Sequence, residues 1–154
     1  MSDVDRAMDV VEDLLERLTD DLKIEGEIEV VDDGETITGT IHGDDLGRFI
    51  GHHGHTIDAV QHLATRLAHG DDHRAPRRIV IDAGGYRERR REALEGMADD
   101  AAAEALEHDR EVSLPAMSAG ERRIVHEHLR DRDDVETHSE GVEPERYLVV
   151  AAAS

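Results

Sequence analysis

Only three of the 154 residues are aromatic, Phe49, Tyr86 and Tyr147, and this scarcity constrains the fold more than any other feature of the sequence. A core without bulky rings must be assembled from Leu, Ile, Val, Ala and Met, each removing modest apolar area from water, so it is expected to be lean. A chain of this length can enclose one sizeable core or two small ones side by side. No apolar run is long enough to cross a bilayer, and the N-terminus MSDVDRAMDVVEDLL is acidic where a secretory signal would be basic and then apolar. The absence of Cys removes disulfides, thiolate zinc sites and a cysteine nucleophile together. These features predict a cytoplasmic protein without membrane insertion.

Hydrophobic periodicity divides the chain. Val4, Met8, Val11, Leu14, Leu15 and Leu18 recur at three- and four-residue steps, which predicts a helix from about Asp3 to Asp21. Glu27 to Val31 and Thr36 to Ile41 alternate around Asp33-Gly34, the pattern of a hairpin. Asp44 or Asp45 is placed to cap a short helical turn through Phe49 and Ile50, which Gly51-His52-His53-Gly54 then interrupts. A longer helix resumes at His55 or Thr56, with Ile57, Val60, Leu63, Ala64 and Leu67 as its expected buried stripe. The β-branched run from Arg77 to Asp82 reads as a strand, and Gly84-Gly85 closes a first module at residues 1–83.

Residues 84–154 begin with an Ala-rich helix from Tyr86 to about His108, its pattern carried by Ala93, Leu94, Met97, Ala101 and Ala105. After a break at Pro115 come a helix from Ala119 to about Arg130 and strands near Val135 to His138 and Tyr147 to Ala151. The predicted class is α+β: a helix, hairpin, helix-loop-helix and strand, joined by a long helix to a smaller α+β module.

The formal net charge of -20 opposes phosphate at long range. Its distribution is uneven. Arg74, Arg77, Arg78, Arg87, Arg89, Arg90 and Arg91 face only Asp82 and Glu88 within their own stretch, and Arg suits bidentate phosphate contacts. A glycine-bounded loop between two helices lets a sugar-phosphate strand approach backbone N–H groups at the positive end of the second helix. Such a four-residue loop alone is also an ordinary turn; the surrounding order of elements raises its meaning. Arg122 and His126, four positions apart, share one helix face, and with neighbouring Arg123 they form a candidate phosphate-binding group.

The segment Leu46 to Gln61, centred on Gly51-His52-His53-Gly54, resembles the prokaryotic-type K-homology (KH) RNA-binding domain. This resemblance implies that the loop clamps the backbone of a short single strand while an apolar groove takes its bases. Ile50, Ile57 and the hairpin face would flank those bases, and Arg48 and Arg66 would supply fixed charge. Members of the family often carry Lys or Arg at the two loop positions; His52 and His53 stand there instead, so binding is expected to be weaker or pH-sensitive. Leu114-Pro115-Ala116-Met117-Ser118, then Glu121 to His126 and Val135 to Gly141, look like the small single-stranded nucleic-acid-binding domain named for its Arg-x-x-x-His signature.

The two modules in this order, with Gly85-Tyr86-Arg87-Glu88-Arg89-Arg90 between them, are similar to the Jag family of bacterial proteins, also called SpoIIIJ-associated or KhpB proteins. Many members carry an N-terminal domain and a basic linker that this sequence is expected to lack. The resemblance implies a non-catalytic, post-transcriptional RNA-binding regulator, tied in some bacteria to cell envelope, division or sporulation. Its expected partners are single-stranded RNA, single-stranded DNA as a second ligand, and a small single KH-domain protein, with no cofactor. Oligomeric state stays open. The 11 His raise a metal enzyme as a rival, but no H-E-x-x-H occurs, His126 and His128 point to different helix faces, and no Gly-x-Ser-x-Gly appears. An acidic protein-interaction module that does not bind RNA is the other alternative.

Overall fold

In the computed structural model, which describes all 154 residues, the first helix begins at a reciprocal cap. The Ser2 hydroxyl accepts from the Asp5 N–H at 3.1 Å while the Asp5 carboxylate accepts from the Ser2 N–H at 2.9 Å; donation from that N–H and from the Ser2 hydroxyl, at 2.8 Å, holds the carboxyl below its ordinary pKa. Helix α1 (Asp3–Asp21) then buries Ala7, Val11, Leu15 and Thr19, a four-residue stripe. Strands β1 (Glu27–Asp32) and β2 (Thr36–His42) form the expected antiparallel hairpin. Asp33 shapes its turn by accepting from the N–H groups of Glu35 and Thr36, bonds that hold its carboxyl low. Strand β3 (Arg78–Ala83) adds to β2 in parallel, giving the order β1-β2-β3.

Helices α2 (Gly47–Ile50) and α3 (His55–His69) make the crossover between those parallel strands. The cap of α2 is Leu46, whose carbonyl accepts from Phe49 and Ile50, so neither Asp44 nor Asp45 takes the capping role expected of it. The seam of α3 is Ile57, Val60 and Ala64, with Ala68 partly buried. Leu63 and Leu67, expected in the stripe, are 44% and 54% exposed. Each immediately precedes a seam residue and is therefore turned about 100° out of the seam.

Helix α4 (Tyr86–His108) carries the boundary between two compact units, Met1–Arg87 and Glu88–Ser154, slightly later than the expected break at residues 83 and 84. In the second unit α4 buries Leu94, Ala98, Ala101, Ala102 and Ala105, while Ala93 faces solvent. Strand β4 (Val112–Ser113) pairs with β6 (Tyr147–Ala152), which pairs with β5 (Val135–Glu140), all antiparallel. Helix α5 (Ala119–Leu129) is capped by Ser118 and adds Val125 and Leu129 to a core shared with Leu114, Met117, Leu148 and Val150. No helix is long and apolar enough to cross a membrane.

Gly39 lies in the middle of β2 beneath α1. A Cβ there would stand 2.7 Å from Val11 Cγ1 and 2.8 Å from Leu15 Cδ1. Ala is ordinarily favoured over Gly in a strand, but here overpacking dominates. Gly39→Ala is expected to destabilise the N-terminal unit by about 1–3 kcal/mol, read as an earlier midpoint in urea unfolding. An unchanged midpoint would mean that α1 lifts off the sheet without cost.

Candidate nucleic-acid interface

The loop between α2 and α3 is held in shape from within. Gly51 and Gly54 take φ of 75° and 78°, values that favour glycine, and His53 takes φ 52°. A Cβ on Gly51 would meet Thr56 Cβ at 2.8 Å, and one on Gly54 would meet the Tyr86 hydroxyl oxygen at 2.7 Å. Gly54 is buried against that ring, so its missing side chain serves the fold directly. His52 and His53 project outward with rings stacked at 3.9 Å between centroids, and His55 lies edge-on to His52 at 6.1 Å. Arg48 is exposed beside them and donates to the Lys23 carbonyl at 3.3 Å, while Ile50 is half-buried. Ile57 is wholly enclosed in the core and supports the loop from beneath, not from a base-facing surface as the sequence suggests.

Strand β3 is the edge of its sheet, and its outward backbone groups face α3. Arg78 and Gly84 donate towards β2, so Ile79 and Ile81 aim theirs at the open edge. At Ile81 that edge is closed: its N–H donates to Gln61 Oε1 at 3.0 Å, and its carbonyl accepts from Arg87 Nε at 2.7 Å. The same guanidinium donates to Asp58 at 2.9 Å and Gln61 at 3.0 Å. Towards Ile79 a cleft of about 440 Å³ opens between Thr65, Arg66 and His69 of α3, the loop after it, and Arg77 and Arg78. Of its lining residues, Arg77 is paired with Asp32 at 2.7 Å, which lowers the Asp32 pKa. Within the arginine-rich stretch, Arg77, Arg87 and Arg90 are thus engaged with acids from elsewhere in the chain. Sequence reasoning missed this cleft, although Gln61, Thr65 and His69 share a four-residue spacing.

In the C-terminal unit a cleft of about 400 Å³ lies between α5 and the sheet, lined by Arg122, Arg123, His126, Thr137, Ser139 and Arg146 among others. The expected trio therefore meets in one place, and Thr137, His138 and Ser139 of β5, with Arg146 just before β6, join it from segments that no local pattern links to α5. His126 Nδ1 lies 2.6 Å from the Thr137 hydroxyl. Arg123 is exposed and pairs with Glu127 at 2.8 Å, which lowers the carboxyl and raises the guanidinium. Arg122 is different: its side chain is only 10% exposed, one amino group donating inward to the Met117 carbonyl at 2.7 Å and the other to Glu143 at 2.6 Å. No three His, Asp or Glu side chains converge as metal ligands would.

Comparison with known proteins agrees with this division. Residues 8–80 match the KH domain of the KhpA/KhpB type, and residues 92–152 match the domain named for its Arg-x-x-x-His signature. The chain is 31% identical over 147 residues to a Clostridium symbiosum protein named RNA-binding protein KhpB, covering 96% of this chain and 65% of that one. Proteins of the same name from Lactiplantibacillus plantarum and Streptococcus pneumoniae are 39% and 31% identical, over 68% and 96% of this chain and 32% and 45% of theirs. The chain thus spans less than two thirds of these three relatives. The chain is thus a two-module protein, a KH domain followed by an Arg-x-x-x-His domain. The chain belongs to the KhpB, or Jag, family.

Arg122→Ala would leave the Met117 carbonyl without its donor and is expected to cost about 1–3 kcal/mol of stability. Arg123→Ala should leave the unfolding midpoint unchanged, because its exposed ion pair contributes little. Thermal unfolding of the two variants checks the contrast; equal losses would show that burial of Arg122 does not matter.

Proposed function

We propose that this chain binds single-stranded RNA, without catalysis, through the Gly51 to Gly54 loop and the C-terminal cleft. The observation that carries this reading is a loop whose glycines are held by Thr56 and Tyr86 so that His52 and His53 face solvent. Phosphates of a few unpaired nucleotides would lie along those imidazoles and Arg48, with one base entering beside Ile79 and the half-buried Ile50 flanking it. The name shared by the relatives, RNA-binding protein KhpB, supports RNA as the ligand. Arg122, Arg123 and His126 would take a further stretch of the strand. With three aromatic side chains in the chain, stacking contributes little, so phosphate contacts and hydrogen bonds must dominate. The regulatory role, linked to envelope or division, and a cytoplasmic location belong to the same reading. Exposed Leu63 and Leu67 favour a protein partner on α3 as well, for which a small single KH-domain protein is our candidate.

Fluorescence anisotropy of labelled random single-stranded RNA tests this. His52→Asp/His53→Asp, which keeps both glycines, should weaken binding at least about tenfold, and raising salt from about 50 to about 300 mM should weaken the native protein. Circular dichroism establishes that the variant is folded. Absence of binding by the native protein at low salt would overturn the proposal in favour of a protein-interaction module.

A further inference from the structure

The guanidinium of Arg122 is a fork with one prong inside the protein and one at its surface. The inner prong is fixed to the Met117 carbonyl. The outer prong meets the carboxylate of Glu143, whose side chain is 56% exposed on the turn between β5 and β6. That turn is shaped without the Glu143 side chain: Gly141 takes φ 86°, Glu145 donates to the Val142 carbonyl at 2.9 Å, and Arg146 donates to the Gly141 carbonyl at 2.9 Å. The carboxylate can therefore swing into water while Arg122 and the turn stay in place. Arg122 and Arg146 both line the cleft that also holds His126 and Ser139. A carboxylate and a phosphodiester offer a guanidinium the same pair of anionic oxygens.

We propose that Glu143 is an internal anion seated where a phosphate of the bound strand goes, and that nucleic acid binds the C-terminal cleft by displacing it. This rests on the RNA-binding reading above. Displacement gives the cleft a threshold: a ligand must offer more than one contact, to Arg122 together with His126 or Arg146, before exchanging one anion for another is favourable. Isolated anions then compete poorly, and the buried cation is never left bare when the cleft is empty, a state that would be costly.

The test uses the full chain and labelled single-stranded RNA. Glu143→Gln keeps the shape and a hydrogen bond to Arg122 but removes the competing charge. Glu145→Gln removes the same charge from the same turn without touching Arg122, and so controls for the long-range effect on a protein of net charge -20. Glu143→Gln should tighten binding about two- to fivefold, the range an ion pair of this exposure covers, and clearly more than Glu145→Gln does. In the native protein, RNA should shift the Glu143 side-chain carboxyl resonance and leave that of Glu145 in place. Equal effects of the two substitutions would overturn the inference, as would movement of the His126 signals without movement at Glu143. Either result would leave RNA binding itself standing. No binding by native protein or variant would overturn both.

Discussion

Where α1 crosses β2, the side chains of Val11 and Leu15 lie so close over Gly39 that a methyl group would stand within 2.8 Å of each. This close approach is what a chain nearly without aromatic side chains needs. Each small aliphatic residue withdraws little area from water, so cohesion has to come from contact density at native packing. The same solution recurs in the second unit, where the buried face of α4 is four Ala and one Leu. It recurs again at the loop, where the ring of Tyr86 covers Gly54 so closely that only glycine fits. The loop therefore takes its shape from packing beneath it, and it presents His52 and His53 to solvent.

Charge is handled locally. A protein of net charge -20 would repel a polyanion at a distance, and many of its arginines are engaged with their own carboxylates. Arg77 holds Asp32, Arg87 holds Asp58, Arg90 holds Glu121 and Arg122 holds Glu143. These pairs tie helix to helix, helix to turn, and the end of β1 to the segment before β3, and they leave imidazoles prominent at both clefts. Screening confines such effects to about 8–10 Å at ordinary salt, so the groups lining a cleft matter more there than the total.

The elements themselves were legible in the sequence. The bounds of α1 and α4, the hairpin around Gly34 and the α5 helix followed from periodicity and turn chemistry, because those signals act between residues a few positions apart. The glycine loop and the Arg122–His126 spacing were legible for the same reason. The fate of α3 was legible only in part. Its seam lies one residue away from Leu63 and Leu67, and both steps fit a helical repeat, so only the position of the sheet selects between them.

What tertiary structure alone decided are the partners. Arg77 meets Asp32 across 45 positions and Arg122 meets Glu143 across 21, and nothing in the local spacing selects one acid among the 38 in the chain. Ile57 passes the sequence test for a groove residue and for a core residue alike; packing placed it in the core. The closing of the β3 edge by Gln61 and Arg87, and the joining of His126 to Thr137 and Arg146, likewise need strands and helices to be docked first. Sequence by itself determined which of the longer segments are helices and strands, though not the two-residue β4, and which residues could bear the chemistry. The docked fold decided which of those residues meet, because contacts between distant residues depend on how the elements pack.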